Sequence, residues 1–330
     1  MRLLFLMPLF ALYGPAGAAP CESCHPLESE AHAQTRMASA MLPALQSAFA
    51  QNIEKLALHE AGGGYQFVYK KNASNLIVIS FRGSDAAEGT IDWVLGSGAQ
   101  GQTPIVRSGS TFLESRVSFF PKLERYGITV GQNAAPSGNA ILSLGRPKTP
   151  SELSQCLGCH STVLDSSFTK IVPGVQCEKC HPGAASHAAG KGMPFNPGKL
   201  TAGEQVRFCG NCHRVSPPVD DTQLENIRFQ PLRLMKSRCF GSGKLACTTC
   251  HPAHQDARRN AAAFYNAKCL ACHLSSTHAG STPHVNASAH ADCIGCHMPQ
   301  VQLHPALRFT DHFIRVVRST DYPPGSIVQR

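Results

Sequence analysis

The chain has 330 residues with 15 Cys and 16 His, yet only 15 % charged residues, 42 % hydrophobic residues and a single Trp, alongside 28 Gly and 23 Pro. Turn formers are too abundant and large apolar residues too sparse for an ordinary self-packed core, so something other than side chains is expected to fill the interior. The formal charge of +9 comes from Lys and Arg scattered without runs or interleaved aromatics, which excludes a nucleic-acid-binding surface.

Residues 1–18 read as a secretory signal: Arg2, an apolar stretch over 3–12, a break at Gly14 and Pro15, and Ala16-Gly17-Ala18 as the cleavage sequence. That apolar stretch is too short to span a bilayer, and no later one is apolar enough. The expected product is a soluble periplasmic or extracellular protein that does not span the membrane.

Residues 19–60 begin with Cys21, Cys24 and His25. Beyond them, Met37, Met41, Leu45, Phe49, Ile53 and Leu56 recur at three-to-four spacing, which predicts one or two amphipathic helices over 27–60, broken at Pro43. The texture then changes. Tyr65, Phe67 and Tyr69 alternate with polar residues, an apolar run covers 76–81, and 111–120 and 127–130 are also strand-like, with Gly-rich punctuation between. Residues 61–150 are thus expected to form a small β-rich insert. Its Arg82, Asp85, Asp92, Arg107, Glu114, Arg116 and Arg125 make no paired-carboxylate, nucleophile–base or phosphate-loop pattern, so a packing or docking role is expected.

Residues 151–330 carry six more copies of the pattern that opens the chain. The seven C-x-x-C-H motifs are Cys21, Cys24, His25; Cys156, Cys159, His160; Cys177, Cys180, His181; Cys209, Cys212, His213; Cys247, Cys250, His251; Cys269, Cys272, His273; and Cys293, Cys296, His297. Chance placement gives about 0.03 such motifs. Two thiols on one helical turn can both reach the vinyl groups of one porphyrin, and the adjacent imidazole then lies under the iron, so each motif is the attachment site of one covalently bound haem c. Disulfides do not need a His after every second Cys, zinc ribbons do not fix one at the next position seven times, and thioredoxin-like motifs come singly near a βαβ pattern that is absent here. Covalent attachment occurs outside the cytoplasm, in agreement with the signal. Losing Arg2 takes +9 to +8, and each ferric haem with ionised propionates adds about −1, so seven leave about +1. At roughly 24 residues per haem, the last six motifs leave no room for a protein core between them. The predicted fold is therefore mainly α and irregular, short helices and loops around a haem stack, with the small β-rich insert.

Nine His remain for the second axial position: His32, His59, His187, His254, His278, His284, His290, His304 and His312. Seven would make every iron six-coordinate, closed to substrate and low-spin, which suits electron hopping. Met37, Met193, Met235 and Met298 are better suited to packing against porphyrin than to ligation. Cys239, the odd cysteine, is expected to be buried.

The stretches GVQCEKCHPGAASHA, FQPLRLMKSRCFGSGKLACTTCHPAH and ADCIGCHMPQ…FTDHFIR resemble multihaem cytochromes c related to the tetrahaem electron acceptor of hydroxylamine oxidoreductase. IDWVLGSGAQGQT…FLESRVSFF…GITVGQ followed by CLGCHS is similar to bacterial members with a β-rich insert between the first and second haems, and the likeness covers most of 21–318. The resemblance implies distal-ligand roles for His59, His187, His254 and His312, and on the same grounds for His278 and His290. His32 is the choice for the seventh place, with His284 and His304 in reserve. It also implies an electron carrier with protein redox partners, a quinol-linked or periplasmic donor and an unknown acceptor, and allows a homo-oligomer or extracellular assembly. Pentahaem nitrite reductases share CHMP but attach their catalytic haem through C-x-x-C-K, which is missing here. Hydroxylamine oxidoreductases carry eight haems, one modified by a tyrosine, with no obvious counterpart among six Tyr. A multihaem reductase of a small nitrogen or oxygen species would need one five-coordinate iron.

Overall fold

The structure is a computed structural model that describes residues 21–51, 53–216, 223–257, 261–273 and 292–328. The expected signal segment and His278, His284 and His290 lie outside the described residues.

The first half is built on a large antiparallel sheet. In chain order the elements are the helix Pro26–Ala33 (α1), strands Met41–Pro43 (β1), Leu58–His59 (β2), Gln66–Lys71 (β3), Leu76–Arg82 (β4), Asp85–Leu95 (β5), Thr103–Ser108 (β6), Thr111–Ser115 (β7), Val117–Phe120 (β8), Arg125–Ile128 (β9) and Gly145–Lys148 (β10), with the short helices Ala48–Gln51 (α2) and Ala140–Leu144 (α3) between them. Strands run β10-β7-β6-β5-β4-β3-β2 across the sheet, and β1 also pairs with β5. Strands β8 and β9 form a separate hairpin.

Successive strand residues point to opposite faces. Val106 on β6 therefore joins Phe49, Ile53, Tyr65, Leu76, Val78, Ile91, Leu113 and Leu144 in one cluster, while its neighbour Ile105 joins Met41, Leu153 and Leu157 in another. Leu153 and Leu157 lie one turn apart on the helix Pro150–His160 (α4), so the sheet seats the helix that ends in the second motif. One face of the insert is thus committed to a haem-bearing element.

The rest of the chain is short elements: strands Ser161–Leu164 (β11) and Ile171–Pro173 (β12), helices Cys177–Cys180 (α5), Ala184–Ala188 (α6), Ala202–His213 (α7), Gln230–Met235 (α8), Cys247–Cys250 (α9), Ala262–Leu270 (α10) and Cys293–His297 (α11), and strands Gln300–His304 (β13), Leu307–Thr310 (β14) and Ile327–Val328 (β15), which form one small sheet.

The expectation of a mainly α and irregular chain is overturned. Among the described residues helix takes 36 % and strand 26 %, and seven strands follow one another across the main sheet. The central strands β5 and β6 were not legible as such, and β1, β2 and β10 come from segments flanking the strand-like texture. The helices expected over 27–60 are likewise reduced to α1 and the short α2, with Met41–Pro43 extended between them. Pro43 has no N–H for a helical bond, and Met41, 1 % exposed, is buried by pairing with Leu95, so tertiary contact overrides the helical spacing. The run over 111–120 divides at Arg116 into β7 and β8, which pair with different partners.

Candidate haem-iron sites

Each motif forms a helical turn, because the first Cys carbonyl accepts from the His amide: His25 to Cys21 at 2.8 Å, and His181 to Cys177, His251 to Cys247 and His273 to Cys269 at 2.9 Å each. Two motifs end longer helices whose starts are fixed by capping boxes. Thr149 and Glu152 cap α4, Thr201 and Glu204 cap α7, and each T-x-x-E starts a helix about three turns long that stops at its motif His.

Three motif imidazoles face a second imidazole. Ring centres of His25 and His187 are 6.5 Å apart, those of His181 and His254 6.1 Å, and those of His251 and His312 6.2 Å. A ligating imidazole nitrogen lies about 2 Å from its metal and about 1.2 Å from its own ring centre, so two imidazoles on opposite sides of one ion have centres about 6.4 Å apart. The three pairs meet that spacing.

Their ring nitrogens are arranged to match. A ligating Nε2 needs Nδ1–H to face an acceptor. Nδ1 donates to a backbone carbonyl at His160 (Ala40, 2.8 Å), His181 (Phe195, 3.0 Å), His187 (Gly192, 2.9 Å), His297 (Arg315, 2.8 Å) and His312 (Thr310, 3.0 Å). Burial pushes His213, His251 and His254 below the ordinary histidine value and His312 down to about 4, which keeps each in the neutral, ligating form. The residues present therefore fit a haem iron at these three pairs.

The other expected second ligands are placed differently. His32 uses Nε2 to donate to the Val175 carbonyl at 2.7 Å. At His304 the Ala306 amide donates to Nδ1 at 3.2 Å, the reverse polarity, and the ring packs on Phe120. His59 is exposed on the edge strand β2 beside Glu60, Gln66 and Arg82. Among the described residues no second imidazole forms a ring pair with His160 or His213.

Thiols of different motifs are close neighbours. Cys212 donates to Cys159, Cys247 to Cys209, and Cys177 to Cys21; the contacts hold Cys159 down to about 6 and Cys209 to about 7. No disulfide is formed. Cys239, half-buried, neighbours the sulfurs of Cys250, Cys269 and Cys272, and burial pushes its thiol up. Met193 is 81 % exposed.

Sequence reasoning did not single out Asp311. Fully buried beside His312, it accepts Arg233 Nε at 2.8 Å and Nη2 at 2.6 Å, Arg315 Nη1 at 3.2 Å, the Tyr322 hydroxyl at 2.6 Å and the Phe313 amide at 2.9 Å. Burial alone would raise its carboxyl, but the Arg233 and Tyr322 bonds outweigh it and hold the group below the usual value. The only sequence signal was an Asp next to a candidate His. The carbonyls of Ala40, Phe195, Gly192, Thr310 and Arg315 carry no residue signal at all.

Residues 132–182, which contain the second and third motifs, match the family described as cytochrome c554 and c-prime. No curated protein and no solved structure matches the chain. The family match supports covalently bound haem c and haem-based electron transfer. Among the described residues no helix is long and apolar enough to cross a membrane.

Proposed function

We propose that the chain is an extracytoplasmic heptahaem cytochrome c that passes electrons between protein partners through bis-imidazole irons, akin to the electron acceptors of hydroxylamine oxidoreductase. The observation that carries it is the set of three motif histidines, each facing a second imidazole at the spacing one iron requires. Bound haem supplies the one-electron chemistry. The chain's task is to hold each iron and fix its surroundings. His187 would complete the iron of His25, His254 that of His181, and His312 that of His251. Carbonyls at Phe195, Gly192 and Thr310 hold three of these rings with Nε2 inward and make them more basic. A six-coordinate, low-spin iron would change geometry little on reduction, and thiols of different motifs lie close enough to perturb one another, which suits hopping between neighbouring haems. The four remaining irons draw on His278, His284 and His290 and on His32 and His59, with His304, whose Nδ1 accepts the Ala306 amide, in reserve.

A second reading is favoured by the engaged nitrogens of His32 and His304. If these two and the exposed His59 stay where they are, one iron is left without a second imidazole and becomes open to a small ligand such as nitrite or hydroxylamine. The test is an EPR spectrum of the oxidised holoprotein integrated against a chemical haem count. Seven low-spin ferric irons unmoved by cyanide or nitrite are expected of the carrier. One high-spin iron that responds to ligand would instead establish the reductase, and fewer than seven haems would refute the heptahaem reading.

A further inference from the structure

The junction between the insert and the C-terminal sheet gathers basic side chains that iron ligation does not use. Gln100, in the loop between β5 and β6, is its centre. Its Oε1 accepts Lys122 Nζ at 2.8 Å, from the turn of the β8–β9 hairpin, and the Arg308 amide at 3.4 Å, from β14, while its Nε2 donates to the Arg308 carbonyl at 2.6 Å. The Phe120 and His304 rings, 5.9 Å apart, close the same junction. One amide side chain thus holds two cationic residues beside each other. Among the described residues neither Lys122 nor Arg308 forms an ion pair, and Arg308 Nε is buried with no hydrogen-bond partner. The next cation, Arg36, already has Asp256 at 3.2 Å. Lys122 stands at the exposed rim, yet desolvation and then the charges of Arg308 and Arg36 push it below the ordinary lysine value, with no carboxylate acting against them.

A buried donor without an acceptor costs its full desolvation, and native structures meet such a group with a water, an ion or a ligand. Crowded like charge selects among these, because only an anion relieves both the orphaned Nε and the repulsion between the cations. A carboxylate suits the two donors: it takes the planar guanidinium edge with one oxygen and the ammonium with the other. We propose that Arg308 and Lys122 form a binding site for a carboxylate where the insert meets the C-terminal sheet. That carboxylate has two sources. One is a propionate of a haem held by this chain, since β13 begins just after the seventh motif and Arg36 belongs to the segment whose Ala40 carbonyl orients His160. The other is a free organic acid entering at the Lys122 rim. Only the first source rests on the haem reading.

The test is a potentiometric titration of the full holoprotein followed by EPR, with denaturant unfolding in acetate and in equal chloride as its second arm. If the carboxylate is a propionate, Lys122→Met and Arg308→Met shift the same single wave toward ferric by roughly tenfold, the effect of one unit charge at about 12 Å in a medium of dielectric near 20. Arg308→Lys then shifts that wave in the same direction, because an ammonium does not replace the guanidinium edge. If the carboxylate is a free organic acid, no wave moves, and acetate raises the unfolding midpoint of the unmodified protein above that in chloride, an increment lost in Lys122→Met. Should Arg308→Met yield no holoprotein, Lys122→Met at the exposed rim carries both arms. A wave moved by Arg308→Met but left in place by Arg308→Lys reports charge acting at a distance with no carboxylate bound. That result, or no shared wave together with no acetate increment, would overturn the proposal. A protein without haem removes the first arm alone and leaves the second to decide, so the haem reading and the carboxylate site fail separately.

Discussion

Gly174 stands between the second and third motifs, and replacing it with Ala tests whether the backbone there holds both. Its φ is +73°, and an added Cβ would collide with the carbonyl oxygen of Ala38 and lie 2.9 Å from the side-chain nitrogen of Gln176. The left-handed conformation alone costs an L-residue about 1–2 kcal/mol. Relieving the collision means moving the 37–40 segment, and overpacking of that kind costs about 1–3 kcal/mol. The displacement strains bonds from Gly174 N to His160 O (3.0 Å), Val175 N to Met37 O (2.9 Å), His32 Nε2 to Val175 O (2.7 Å) and Gln176 Nε2 to Ala38 O (3.2 Å), each worth about 1 kcal/mol. A loss of about 3–6 kcal/mol is expected, a large share of the roughly 5–15 kcal/mol that stabilises a domain. The control is Gly109→Ala, at φ +58° with nothing within 4 Å of the new Cβ, where only the strain of about 1–2 kcal/mol remains. Denaturant unfolding of both holoproteins, followed by haem absorbance and Trp93 fluorescence, measures the difference. Because Ala40 O also accepts from His160 Nδ1, Gly174→Ala should shift one ferric EPR signal while Gly109→Ala shifts none. Equal destabilisation by the two substitutions, with unchanged spectra, would refute the reasoning.

His254→Ala should convert one low-spin iron to a cyanide-binding high-spin iron and leave the haem count intact, read by EPR and mass spectrometry. His304→Phe should leave every low-spin signal in place, since its Nδ1 accepts from Ala306; the loss of one would return His304 to the ligand set. Glu60→Gln should cost the insert about 3–5 kcal/mol, because it leaves the buried Arg116 charge without its carboxylate counter-charge at 2.8 Å, and Trp93 fluorescence during unfolding reads that loss. The same pair sets an acid limit. Burial by itself raises the Glu60 carboxyl, yet the bonds from Ser137 and Tyr65 and the Arg116 charge outweigh it and hold the group below 4.5. A carboxyl depressed in the folded state adds stability that is present above its unfolded value and disappears as pH falls through the folded one. Stability of the insert should therefore drop below about pH 4.5 in the unmodified chain and less so in Glu60→Gln.

The motifs were legible because covalent attachment needs thiols and an imidazole at fixed, local spacing; the T-x-x-E boxes at 149–152 and 201–204 are equally local, but the sequence reading did not use them. Strand β3 was legible because its period-two alternation is also local, and β4 because it is a short continuous apolar run. Strands β5 and β6 were not. Ile91 and Trp93 straddle an irregularity in register, and β6 reads TPIVRS with three consecutive buried residues, so neither keeps a clean alternation. Which histidine faces which motif depended on tertiary structure alone. The partners in the three pairs lie up to 162 positions apart, from His25 to His187, and the carbonyls that orient the rings belong to residues whose side chains are irrelevant to the role. Sequence determined the chemistry of attachment, since that is written within five residues. Tertiary structure decided pairing, ring polarity and the charge around each pair, because these arise only where distant segments meet.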